Sequence, residues 1–399
     1  MIALVAGVGC GGKKDDKPPG KPGSGSDGSA TPVETSRPRP SQEPLPPVPQ
    51  LQLPEDPKRK EKIALGNTLF FDKRLSGNND RACYSCHKNE DGNGGHDPIA
   101  IGSGDKKLTR HSPSLWNVGY YKKALYWDGR APTLEANVKG AWGGGNMGAG
   151  DAKDDKKNVE MLDKKAAELA ALPEYKALFD AAFPGAAAKA EQVQAALAEY
   201  MRTMVCNNTA YDRWVNKDTT ALDDKQQRGL DLFLGKGGCT SCHVPPFFTS
   251  AMEPADGAYF NIGIGTQDVP EDKVDVGRMK VSNRPEDWGA FKPPSLRNVS
   301  RTAPYFHDGS VDTLEKAVRL MAAGGYPNKN KSPLAIARNL VPAEIDDIVA
   351  FLKALDCNTK LTLPDGSDPD AAGGGGGGDG GAGSGSAAGS SAGSGSAKP

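Results

Sequence analysis

Two short strings in this chain of 399 residues carry reactive side chains at a spacing with chemical meaning, Cys83-Tyr84-Ser85-Cys86-His87 and Cys239-Thr240-Ser241-Cys242-His243. Both read C-x-x-C-H, the pattern that attaches haem c. The two thiols add across the vinyl groups of the porphyrin, and the adjoining imidazole is held under the iron as its proximal ligand. A zinc ribbon also uses two C-x-x-C pairs, but roughly 15–20 residues apart, whereas most of a domain separates these. Neither a ribbon nor a thioredoxin-like redox pair needs a His after the second Cys in both copies. The expected cofactors are therefore two covalently bound haem c. Cys83, Cys86, Cys239 and Cys242 attach them, and His87 and His243 ligate their irons.

Three of the seven cysteines remain, Cys10, Cys206 and Cys357. Cys10 follows nine small and apolar residues and reads as the lipid-anchored residue of a lipoprotein signal; a trimmed ordinary secretion signal is the alternative. Either reading exports the chain to the periplasm, with membrane tethering in the first. In an oxidising compartment Cys206 and Cys357 either pair as a disulfide or stay as two free buried thiols.

The elements that position these residues are duplicated. Gly-x-x-Leu-Phe precedes each haem motif, at Gly66 to Phe70 and Gly229 to Phe233, and Pro-Ser-Leu-x-Asn-Val follows it, at Pro113 to Val118 and Pro294 to Val299. Asp128-Gly129 with Thr133-Leu134-Glu135 and Val138 recurs at the same spacing as Asp308-Gly309 with Thr313-Leu314-Glu315 and Val318. A duplicated one-haem unit explains this pattern. Val193, Leu197, Tyr200, Met201 and Met204 share a helical face, as do Ile345, Ile348, Val349, Leu352 and Leu355 after Pro342 at a first helical position. Asp223 with Gln226, and Asp312 with Glu315, read as N-caps with their partners three residues on. Convincing strand alternation is hard to find. The fold class is mostly α, two cytochrome c-like haem domains related by internal duplication, with long loops and disordered tails.

The expected boundaries are a signal remnant over 1–10, a linker over 11–50, an N-terminal domain over 51–207, a C-terminal domain over 208–364 and a Gly/Ser/Ala tail over 365–399. Much of the 50 Gly and 31 Pro sits in the two end segments, which keeps the hydrophobic share at 37%. A net charge of −1 gives no field for nucleic acid. No apolar run reaches the 18 or so residues needed to span a bilayer.

The copies differ eight residues after the shared Thr, where the second has Met321 and the first Ala141. A thioether there can be the sixth ligand of the second iron, and His/Met ligation favours a high potential and electron transfer. Alanine cannot ligate, so the first haem is expected to be open to a small molecule.

These residues resemble the bacterial dihaem cytochrome c peroxidases, a superfamily that includes the dihaem enzyme oxidising tryptophans of a partner protein. The resemblance runs from about Pro54 to Leu355. It rests on Leu65 to Ser76, Ser112 to Ala131, Leu172 to Phe179, Phe291 to Met321 and both haem motifs. It implies that a small periplasmic donor, a cytochrome c or cupredoxin, feeds the C-terminal haem on His243 and Met321, and that hydrogen peroxide is reduced at the N-terminal haem on His87. Trp127 matches the family's tryptophan between the haems, and a homodimer is common. A calcium ion between domains would use carbonyls matching Thr302 and Pro304, but His111 stands where the family has an Asn ligand. Ser103 stands in the register of a removable distal His, with His96 as a nearby substitute.

Asn146 occupies the place of the acid that shuttles a proton between the peroxide oxygens, and Glu160 is a second choice reached by a different gap. Asn cannot titrate. Three functions follow: a peroxidase, a dihaem electron carrier or small-ligand sensor without enzymatic activity, and an oxidase of a partner protein's side chains. The family's tryptophan-oxidising member has Tyr at the position of Met321, which weakens the last. Arg110, Arg130, Arg297 and Arg301 are candidates for pairing with haem propionates, and His307 aligns in the repeat with Trp127.

Overall fold

The computed structural model describes residues 45–252 and 258–371. The expectations for Cys10, for the linker up to residue 44 and for the tail beyond residue 371 lie outside the described residues. The first half carries α1 (Arg59–Phe71), α2 (Leu134–Gly143), α3 (Asp155–Ala170), α4 (Pro173–Ala182) and α5 (Ala190–Arg202). The second carries α6 (Ala210–Val215), α7 (Asp224–Leu234), α8 (Met279–Ser282), α9 (Leu314–Ala322) and α10 (Pro342–Lys353). Among the described residues β structure is limited to isolated bridges. No described helix is long and apolar enough to cross a membrane.

The Gly of each Gly-x-x-Leu-Phe is required by a helix crossing. A Cβ on Gly66 of α1 would stand 2.0 Å from the Ala196 carbonyl oxygen of α5, and one on Gly229 of α7 would stand 2.0 Å from that of Asp347 in α10. Only a residue without a side chain lets the backbones approach so closely. Behind these crossings lie two hydrophobic clusters, one built on Leu65, Phe70, Trp142, Tyr175 and Leu197, the other on Tyr211, Phe233, Phe248, Phe351 and Leu355. The four aromatic rings of the second meet at centroid distances from 5.0 to 6.0 Å, mostly edge to face.

The duplication extends to hydrogen bonds. Asn117 and Asn298 both adopt the left-handed region, with φ of 61° and 66°. Their side-chain oxygens accept from the backbone N–H of Cys206 at 2.9 Å and of Cys357 at 3.1 Å. These two cysteines form a disulfide with Cα atoms 5.7 Å apart, which resolves the alternative left open above. Beyond it the chain returns to the first half: Leu361 is buried in the first cluster, and it exchanges two hydrogen bonds with Asn89, at 2.8 and 2.9 Å.

Pro342 opens α10, and Asp223 caps α7, accepting from Gln226 N–H at 2.8 Å. Asp312 does not cap α9. Thr313 does, accepting from Lys316 N–H as Thr133 accepts from Ala136 N–H in the first copy. Asp312 lies one residue outside the helix and pairs instead with the Lys316 ammonium at 2.8 Å.

Candidate haem sites

Each C-x-x-C-H starts on a single 3₁₀ turn, Cys83–Ser85 and Cys239–Ser241. The turn draws the N–H groups of Cys86 and His87 onto the Cys83 carbonyl at 3.2 and 3.1 Å, and those of Cys242 and His243 onto the Cys239 carbonyl at 3.2 and 2.9 Å. All four thiols are unpaired, and burial pushes Cys83 up to about 12 and Cys239 and Cys242 to about 11, so they are neutral.

His87 Nδ1 lies 3.2 Å from the Asn93 carbonyl oxygen, and His243 Nδ1 lies 2.9 Å from that of Phe248. A carbonyl can only accept, so Nδ1 carries the proton and Nε2 keeps its lone pair for a metal. Burial pushes His87 down to about 4 and holds His243 below the usual imidazole value, which keeps both rings neutral.

In the second half Cys239, Cys242 and His243 open on an apolar-walled cleft that is also lined by Leu314, Val318 and Met321 of α9. Both thiols, the proximal imidazole and the thioether face one cavity, so these residues fit a haem. Ala141 holds the register of Met321 on α2. Met147, the nearest Met in sequence, is buried in the first cluster with its N–H on the Ala141 carbonyl at 3.1 Å.

The loop after α2 brings Ser103 and Asn146 together, with the Ser103 N–H 2.9 Å from the Asn146 carbonyl oxygen. Asn146 itself is exposed. Ser103 Oγ donates to Asp80 at 2.6 Å, and with the Gly104 N–H holds that carboxyl down at about 2. Glu160 is exposed on the side of α3 opposite buried Leu162 and Leu169. His96 is likewise exposed and lies 3.3 Å from Asp91.

Trp127 is buried where the halves meet and lines the second cleft. Its indole N–H donates to the His111 carbonyl at 2.8 Å, and its own carbonyl accepts from Lys292 N–H at 2.9 Å. The repeat is mirrored here, since the carbonyl of His307 accepts from His111 N–H at 2.7 Å. His307 stacks on Phe291 at 3.6 Å, and burial pushes it down to about 4.

Of the arginines expected to meet propionates, Arg297 is buried and doubly bonded to Asp212 at 2.7 and 2.8 Å. Arg110 ties Asp128 to Asp275, and Arg130 also holds Asp128. Arg301 donates to the Asn89 carbonyl. Lys292 and Arg338, which line the second cleft, and Asp80 beside the first site carry no mark in the sequence, because only the fold brings them there.

Residues 60–220 match the family model described as di-haem cytochrome c peroxidase. The chain is 34% identical to the cytochrome-c peroxidase IdrP1 of Denitromonas iodatirespirans, over 82% of this chain and 90% of that protein. It is 30% identical to the cytochrome c551 peroxidase of Pseudomonas aeruginosa, over 77% of this chain and 83% of that one. It is 34% identical to the methylamine utilization protein MauG of Methylorubrum extorquens, over 77% and 82%. Among solved structures, a MauG-like protein associated with microbial copper homeostasis superposes with a TM-score of 0.68 at 30% identity, over 83% of this chain and 98% of that one.

Proposed function

Because the chain belongs to the di-haem cytochrome c peroxidase family, an oxidoreductase family whose members carry two haem c, we propose that it reduces hydrogen peroxide to water. Two electrons would enter from a small periplasmic donor, a cytochrome c or cupredoxin, at the C-terminal haem and pass to the N-terminal one. The haems, when bound, supply electron exchange and a metal position open to a small molecule.

The observation that carries this reading is the asymmetry between the halves. His243 and Met321 open on one cleft and could both ligate a haem iron held there, whereas the first copy has Ala141, which cannot ligate, in the register of Met321. Trp127, hydrogen-bonded to backbone of both halves, is suited to couple the two sites. Asn146 can orient a bound oxygen through its amide but cannot deliver a proton. Protons would come from water reaching the exposed loop that carries it.

Asn146 also favours a second reading, a dihaem carrier or small-ligand sensor, since no titrating side chain replaces the expected acid there. Calcium at the Thr302 and Pro304 carbonyls belongs to the first reading, but His111 weakens it: its Nδ1 is taken by the Asp97 carbonyl at 2.9 Å, and calcium prefers oxygen donors. Export with a lipid anchor at Cys10 is supported by the apolar run before it and by the Cys206–Cys357 disulfide. Homodimerisation is proposed from the family alone.

The test is stopped-flow mixing of haem-loaded, donor-reduced protein with hydrogen peroxide. Oxidation of two donor equivalents per peroxide is expected. Carbon monoxide binding at one reduced haem with peroxide left unconsumed would overturn the peroxidase in favour of the carrier or sensor.

A further inference from the structure

We infer that Lys292 binds a propionate carboxylate of the C-terminal haem and raises the reduction potential of that haem. Lys292 is only 8% exposed, and it lines the cleft onto which His243 and Met321 open. Among the described residues no salt bridge forms at its ammonium, which lies over the face of Tyr121, 4.0 Å from the ring centroid. The carboxylate that acts on it from further away, Asp128, is already held by Arg110 at 2.7 Å and Arg130 at 3.0 Å.

A buried ammonium without a counter-ion is costly, and a cation–π contact repays only part of that cost. Burial accordingly pushes Lys292 down to about 7. What fills the cleft must therefore bring the missing anion. A haem carries two carboxylates, and this one is tethered in the same cleft through Cys239 and Cys242. With a carboxylate beside it the ammonium remains charged.

The duplication sharpens the argument. Lys292 stands two residues before Pro294, as His111 stands two residues before Pro113, so the two occupy equivalent places. Burial holds His111 below the usual imidazole value, so its place in the first half carries a neutral ring. Only the second half puts an ammonium at this place. Reduction adds an electron at the iron, and a fixed positive charge favours the form that has gained it. The device would lift the electron-accepting haem alone. The inference rests on the C-terminal cleft holding haem and not on peroxide being turned over.

The experiment is a spectroelectrochemical titration of haem-loaded wild type, Lys292→Met and Lys292→Arg, with haem content and the near-infrared methionine-to-iron band recorded for each. Lys292→Met is expected to keep two haems and the methionine band, while the equilibrium constant for reducing the C-terminal haem falls about tenfold, or about 59 mV for a one-electron couple. Lys292→Arg should stay near wild type. If Lys292→Met does not mature, Lys292→Gln is read in its place. A wild-type midpoint in either neutral variant overturns the inference. Failure of both neutral variants alongside a mature, unshifted Lys292→Arg supports it, and failure of all three overturns it, because shape alone would then be what the site needs. Loss of the second haem from wild type would count against the haem reading itself.

Discussion

Arg297→Met should destabilise the haem-loaded chain, and by an amount that depends on pH. Arg297 and Asp212 have side-chain exposures of 0% and 4%, and the guanidinium meets both carboxylate oxygens at 2.7 and 2.8 Å while donating to the Pro246 carbonyl at 2.8 Å. Methionine keeps the apolar stem but leaves the carboxylate with Thr209 alone. Removing one member of a buried ion pair costs about 3–5 kcal/mol. At roughly 2–4 °C per kcal/mol for a domain of this order, the melting midpoint should fall by about 6–20 °C at pH 7.

In wild type, burial acts to raise the pKa of Asp212, and the Arg297 hydrogen bonds and charge, with Thr209, outweigh it and hold the carboxyl low. A folded pKa below the unfolded value of about 3.9 stabilises the chain above that pH, and the benefit is lost as the pH falls through the folded value. In the variant the unpaired carboxylate protonates at higher pH, so the deficit should be largest at neutral pH and shrink towards pH 4. Calorimetric scans of both proteins at one scan rate from pH 7 to 4 check this. A deficit under about 1 kcal/mol at pH 7, or one that does not shrink on acidification, would refute the reasoning.

Met321→Ala should give the second half the open character of the first, with loss of the near-infrared methionine band, a lower midpoint and carbon monoxide binding at a second haem; an unchanged band would mean that another side chain ligates the iron. Cys357→Ser opens a covalent loop of 151 residues, worth about 5 kcal/mol in the chain-entropy model, and should lower the melting midpoint and expose residues 358–371 to limited proteolysis. Asn146→Glu adds a titrating group in an exposed loop, and in steady-state assays should speed peroxide turnover at least tenfold, within the 10²- to 10⁴-fold typical of such groups. An unchanged rate would show that position 146 is not where the proton is delivered.

Covalent chemistry and local geometry were legible in the chain alone. Two C-x-x-C-H strings carry their own meaning because thiol addition and proximal ligation occur within five consecutive residues. The repeat was legible because both copies need the same backbone solutions, a Gly at a helix crossing and an Asn in the left-handed region. Met321 could be marked from register, since a helix fixes which residues share a face. The capping of α9 was misread by one residue, because Asp312 and Thr313 are both good caps and only the path of the entering chain chooses between them.

Contacts between segments distant in sequence were decided by the tertiary structure. Glu160 and Asn146 are both exposed polar residues, but the packing of α3 on Leu162 and Leu169 sets where Glu160 meets solvent, while the Gly-rich loop carries the Asn146 carbonyl to the Ser103 N–H. The arginines looked alike until folding placed Arg297 against Asp212 and Arg110 between Asp128 and Asp275. Lys292 was invisible for the same reason. Nothing local marks a lysine as lacking a counter-ion, since charge pairing and burial are set by which distant carboxylates the fold brings near.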